Sequence, residues 1–276
     1  MAEPVSLPVA SMVDVAIVGA GPTGVEMAGT LAEIAQQTLS TEFRRIDSRR
    51  ARVILLEGAG RVLGTFPEDM SERAKEQLAG LGAEVLTGAK VTNITAFGIH
   101  YDTMEPGPDG VPHAVSHFLP SRTVVWAAGV AASPLGRALA KSTHCQLDRA
   151  GRVVVQPDLT LPVHPNIYVV GDLASAKSYL DPANPTPVPG VSPGAKQMGR
   201  KAAFNIMRRL EGKDTLAFRY FDYGNLATIG KRAAVAVLDI PYINKRLKFS
   251  GFSAWLFWLF VHVYFLIGFR NRTVVL

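Results

Sequence analysis

VDVAIVGAGPTGVEMAG, residues 13–29, decides how the chain folds. Residues 13–18 are a short apolar, β-branched run that stops at glycine, the pattern of a strand buried in a parallel sheet. Residues 22–37 then place Val25, Ala28, Leu31, Ala32 and Ile34 at roughly helical spacing. Between strand and helix lies Gly19-x-Gly21-x-x-Gly24. Gly19 allows a tight turn, Gly21 lets a pyrophosphate approach the backbone, and Gly24 lets the helix pack closely on the strand. Pro22 and Thr23 belong to the same cofactor-binding turn. Unpaired N–H groups and the positive helix end would hold the phosphates of an NAD-type dinucleotide.

Alone the glycine pattern is weak. It gains weight from VILLE, residues 53–57, a second buried strand ending in an acid. A carboxylate at Glu57 can accept both ribose hydroxyls and repels a 2′-phosphate, which favours NADH over NADPH. Glu57 lies 33 residues beyond Gly24, more than the usual ~20, and a polar stretch accounts for the excess. Arg61 is an opposing cation close by in sequence.

Further along, a helix fits 69–80, opened by Glu68 and Asp69. Strands fit 83–86, 90–95, 98–102, 115–119 and 123–127, with a turn at 107–110. HPNIYVVGD, residues 164–172, predicts a buried strand delivering Gly171 and Asp172 to its end. A proline-rich loop and a helix over 194–210 follow, then two strands around a basic turn within 226–238.

With 276 residues, 48% apolar and 19% charged, the chain can build two ordinary domains. Its single cysteine, Cys145, excludes an internal disulfide or a Cys-x-x-Cys redox pair. The six histidines show no zinc-like spacing, so no metal site is expected. The first twelve residues lack Lys, Arg and a long apolar run, unlike a secretory signal. The net charge of +6 resides entirely beyond residue 230, in Lys231, Arg232, Lys245, Arg246, Lys248, Arg270 and Arg272 against Asp239. These cations flank an apolar run, Phe252–Phe269, so an anionic lipid surface along 245–272 is expected, and no nucleic acid.

GAGPTGVEMAG, VILLE, VVWAAGV, IYVVGDLA, PGVSPGAKQMGRKAA, YGNLATIGKRAAVA and AWLFWLFVHVYFLIGFRNR together resemble the flavoproteins with two dinucleotide-binding folds. Within them the chain is most similar to the type II NADH dehydrogenases, the membrane-bound NADH:quinone oxidoreductases. The last three segments are the more specific to that branch. The resemblance implies an α/β fold: a Rossmann-like NADH-binding domain, the carboxyl-terminal part of an FAD-binding domain, and an amphipathic membrane-anchoring helix. The expected limits are a leader over 1–11, the NADH domain over 12–130, the FAD part over 131–240 and the anchor over 241–276.

What the resemblance implies for single residues is as follows. Glu26 matches an acid near the nicotinamide and flavin rings, and Gln197 a glutamine beside flavin and quinone. Ala195 opens the helix under the flavin, Gly129 lies near the nicotinamide, and Asp172 holds a flavin ribityl hydroxyl. Many relatives carry an earlier glutamine where this chain has Pro193, which leaves only Gln197 for such contacts. The implied cofactors are FAD and NADH, the implied acceptor a membrane quinone. The implied location is monotopic, on the cytoplasmic face of the cell membrane, with a homodimer as the implied assembly.

The family also has a flavin-binding half before the NADH domain, with its own glycine turn, which these residues do not contain. The expectation is a truncated or split form, with a separate chain supplying that half as one arrangement. Two other functions stay open: a non-catalytic NADH-binding remnant at the membrane, and a flavin-dependent reductase with a soluble acceptor.

Overall fold

The computed structural model describes residues 14–40, 42, 47–240 and 245–265. The expected leader, and the end of the apolar tail with Arg270 and Arg272, lie outside the described residues. In chain order the elements begin with β1 (Val15–Val18), α1 (Pro22–Glu33), β2 (Val53–Glu57), α2 (Glu68–Gly80), β3 (Ala83–Thr87), β4 (Lys90–Thr95), β5 (Gly98–Pro106), β6 (Pro112–Pro120) and β7 (Thr123–Trp126). They continue with α3 (Leu135–Thr143), the two-residue strands β8 (Val153–Val154), β9 (Ala174–Ser175), β10 (Lys177–Ser178) and β11 (Thr186–Pro187), and α4 (Ser192–Leu210). Last come β12 (Gly224–Gly230), β13 (Ala233–Ile240), β14 (Lys245–Ser250) and α5 (Phe252–Phe265).

The chain divides into two compact units, one ending at Gly129 and resuming at Tyr223, the other Val130–Asp222. Residues 223–240, grouped with 131–222 in the sequence-based division, therefore pack with the first unit.

The first unit is a stack of layers. Its centre is a parallel sheet in the order β3-β2-β1-β7. Side chains alternate across a strand. Ile17, Val53 and Leu55 face one core with Val25, Ala28, Ala32 and Leu78 of α1 and α2. Ala16, Val18, Ile54 and Leu56 face the other, with Ala89 of the turn before β4 and Ile99 and Leu119 of the β4-β5-β6 meander. Beyond the helices lies the antiparallel sheet β12-β13-β14. Val235 and Val237 of β13 join the helix core, while Ala234 and Ala236 pack against Ala254 of α5.

Two elements depart from expectation. The helix begun at Pro22 does not stay α-helical to residue 37: after Glu33 it widens into a π turn, Ile34–Thr38. There the Ser48 hydroxyl donates to the Ala35 carbonyl at 2.7 Å, compensating the altered ladder. The basic flank at 245–250 is a strand, β14, registered along β13 from Val235–Ser250 to Ile240–Lys245.

The second unit is built on Val153, Leu159, Leu161, Val169, Ala174, Met198 and Phe218. Here HPNIYVVGD corrects the prediction of a buried strand. It makes one isolated antiparallel bridge, Thr160–Tyr168, and Val170 is 37% exposed. Its backbone is satisfied by an irregular hairpin instead, with Leu161 N–H on the Ile167 carbonyl and Val169 N–H on Leu159. A single 3₁₀ turn, Gly171–Leu173, follows. Helix α3, with no strong apolar run, is absent from the sequence-based assignment; it ends on His144 in the left-handed region at φ 56°.

The closest approach in the layer stack is α1 on β12. A Cβ on Gly29 would lie 1.6 Å from the Ile229 carbonyl oxygen. Gly29→Ala should therefore destabilise the first unit by about 3 kcal/mol or more, read as a lower midpoint in urea unfolding.

Candidate functional site

A cleft of about 440 Å³ opens at the carboxyl ends of β1, β2 and β7, lined among others by Gly19, Gly21, Glu57, Gly58, Lys90, Trp126 and Gly129. Its position follows from topology. After β1 the chain passes to β2 on one side, and β7 returns on the other. Loops leaving such a point diverge and leave a crevice.

Each glycine of the turn has a distinct reason. Gly19 has φ +97°, and a Cβ on it would meet Ala128 Cα at 2.6 Å. On Gly24 a Cβ would lie 1.8 Å from the Gly19 carbonyl oxygen. Gly21 has open space where its side chain would be. Helix α1 then starts on Gly21 with Pro22 in its first turn, no side-chain cap and no acid within that turn. Pro22 lacks an N–H, so Thr23 and Gly24 supply the N–H groups of the first turn, at the positive end of the helix dipole. Thr23 is exposed and Gly24 buried.

Glu57 terminates β2 and reaches into this turn. One of its oxygens accepts from Ala20 N–H at 2.7 Å, the other from Ala59 N–H at 2.8 Å. Arg61 turns away, donating to the Gly64 carbonyl at 2.9 Å. Across the cleft, Trp126 is 59% exposed, and its indole N–H donates to the Gly129 carbonyl at 3.2 Å. Gly129 itself has φ +97°. Glu26, half-buried on α1, accepts from Thr228 N–H at 3.3 Å.

In the second unit, the GDLA turn meets the head of α4. A Cβ on Gly171, at φ +69°, would touch the Ala195 methyl at 3.5 Å, and one on Gly190 would lie 3.7 Å from the exposed Asp172 carboxylate. Helix α4 has no acid in its first turn. Gln197 sits two residues beyond Ala195, but its amide is paired: Nε2 donates to the Phe221 carbonyl at 2.9 Å and Oε1 accepts Phe221 N–H at 3.0 Å. A second cleft, about 510 Å³, includes Asp158, Thr160 and Thr215 and none of the expected site residues. Burial acts to raise the Asp158 carboxyl, yet hydrogen bonds from Thr160 and Thr215 outweigh it and hold the group below the usual carboxylate range.

Residues 3–199 match the family of pyridine nucleotide-disulphide oxidoreductases. The chain belongs to that family. It is 43% identical over 270 residues to the type II NADH:quinone oxidoreductase Ndh of Mycobacterium tuberculosis, covering 97% of this chain and 53% of that protein. To NdhA of the same organism it is 41% identical over 265 residues, covering 94% and 52%. The structure of NDH2 from Plasmodium falciparum in complex with NADH superposes with a TM-score of 0.77 over 96% of this chain and 64% of that one. At 20% identity, that likeness speaks for the shared fold. The chain spans about half the length of the curated relatives it matches. Cys145, the single cysteine of the sequence, is half-buried and free.

Sequence inspection missed Lys90 and Trp126 as cleft residues. Lys90 follows a two-residue turn after β3, and nothing in its local pattern points to Glu57. It reaches the cleft because Ala89 N–H donates to the Glu57 carbonyl at 2.9 Å. Because α1 lies against the Gly19 carbonyl, Gly24→Ala should displace the helix head; titration calorimetry should show NADH affinity lowered at least tenfold relative to the unmodified chain.

Proposed function

We propose that the first unit binds NADH in the cleft between β1, β2 and β7, and that the chain forms the electron-accepting core of an NADH:quinone oxidoreductase with FAD. One observation carries this: a capless, acid-free helix head and a strand-ending carboxylate share the cleft at the reversal point of a parallel sheet. The N–H groups of α1's first turn neutralise the diphosphate, with Gly21 leaving room for it. Glu57 keeps a second lone pair on each oxygen for the adenosine ribose hydroxyls. Trp126 and Gly129 line the opposite side of the cleft, toward the nicotinamide. Glu26 supplies negative charge on the helix that bears the turn.

FAD, when bound, accepts a hydride and hands electrons on. The residues present fit its ribityl end. Asp172 offers an exposed carboxylate, and the small residues Gly171, Gly190 and Ala195 leave a shallow cradle beside it. Gln197 retains one amide hydrogen and one lone pair beyond its Phe221 pairing, enough for a single contact to a quinone carbonyl.

For location we infer attachment to one membrane face through α5. Phe252, Leu256, Phe260 and Tyr264 recur every fourth residue and are 57%, 52%, 67% and 62% exposed. The described helix rises only about 21 Å, against about 30 Å of bilayer hydrocarbon, and no described helix is long and apolar enough to cross. The charge contribution is smaller than the sequence suggests. Arg246 pairs with Asp239 and Lys248 with Asp69, at 2.7 and 2.8 Å. The carboxylates beside them offset their charge locally and leave the apolar stripe as the main contact.

Calorimetric titration of the purified chain with NADH should give saturable heat with one site; no heat on folded protein defeats the assignment. Phe260→Glu should lower co-sedimentation with vesicles severalfold while leaving NADH heat unchanged. Equal sedimentation of the variant would remove α5 from the membrane contact.

A further inference from the structure

The peptide of Ala20 is the centre of the phosphate turn, between Gly19 and Gly21, and it is 1% exposed. Neither glycine has a side chain to hold it. Its N–H donates to Glu57 Oε2 at 2.7 Å, and its carbonyl accepts from Leu63 N–H at 2.8 Å. The other oxygen of Glu57 holds Ala59 N–H, so one carboxylate links the turn to the loop after β2. Gly19 N–H, on the Leu56 carbonyl at 2.8 Å, completes the attachment.

From this geometry we infer that Glu57 is a positioning residue for the diphosphate as well as a ligand of the ribose. This role deepens the dinucleotide assignment of the cleft and rests on it. The carboxylate presents two acceptors to two backbone donors, a pattern that an amide cannot reproduce. In Glu57→Gln the two N–H groups share one amide oxygen, so the Ala20 peptide, still tied through Leu63 N–H, is held less firmly on its N–H side. The N–H groups that receive the diphosphate are then no longer pre-set, and ordering them on binding costs affinity. The effect reaches ligands that lack ribose hydroxyls altogether, which a purely ribose-holding carboxylate would not touch.

The test compares ADP with 2′,3′-dideoxy-ADP by calorimetry on the full chain, its Glu57→Gln variant and its Glu57→Ala variant. Hydrogen exchange at the Ala20 amide is followed alongside, with melting temperature recorded. Both nucleotides should bind about tenfold more weakly to the variants, and Ala20 should exchange faster without global unfolding. Unchanged affinity for the dideoxy nucleotide, with only ADP weakened, overturns the positioning role. So does an Ala20 exchange rate equal to that of the unmodified chain. Should Glu57→Ala fail to fold, the glutamine variant decides by the same readouts. If the unmodified chain binds neither nucleotide, the dinucleotide assignment falls instead, and the exchange rate still decides whether the carboxylate holds the turn.

Discussion

Close approach between backbone and backbone at the Gly19–Gly24 turn is the constraint on which the first unit depends. The loop after β7 passes so near Gly19 that any side chain there would enter Ala128, and α1 leaves so steeply that any side chain at Gly24 would enter the Gly19 carbonyl. These contacts bring α1 onto the sheet at the distance where Val25, Ala28 and Ala32 bury fully against Ile17 and Leu55. The same closeness sets the start of α1, at Gly21, on the edge of the cleft. The helix that covers the sheet thus also brings the positive end of its dipole to the cleft, which is the basis of the binding proposed there.

Small residues carry that closeness outward through the stack. Gly29 lets β12 lie on the far side of α1, and the alternating β13 strand then joins two cores, valines toward the helices and alanines toward α5. Alanine on both sides of the β13–α5 contact keeps the helix low on the sheet. Its large residues, Phe252, Leu256, Phe260 and Tyr264, are consequently left on the outer face. An apolar stripe on the surface is here a by-product of how the inner layers fit, and it is the feature that suits a lipid interface.

The second unit works by a different principle. Its GDLA turn lies beside the head of α4, close enough that a Cβ on Gly171 would just touch the Ala195 methyl. Gln197 is engaged by the Phe221 backbone on both sides of its amide. That pairing ties the helix to the segment before β12 and limits what the amide can offer a ligand.

Period and glycine spacing alone determined the parallel strands β1, β2 and β7, helices α2 and α4, the β12–β13 pair and the placement of the glycine turn, because those signals are local: alternation, helical repeat, and residues that tolerate positive φ or contact without a Cβ. Glu57 was legible as the strand-ending acid, whereas its grip on Ala20 was not, because it joins segments 37 residues apart. The irregular course of HPNIYVVGD likewise escaped the sequence, since an apolar β-branched run becomes a strand only if a neighbouring edge is in register to receive its hydrogen bonds. Lys90 in the cleft, the ion pairs that occupy Arg246 and Lys248, and the packing of 223–240 on the first unit belong to the same class. Each is decided by which distant backbone or charge lies opposite, and a chain's own local pattern holds no record of that.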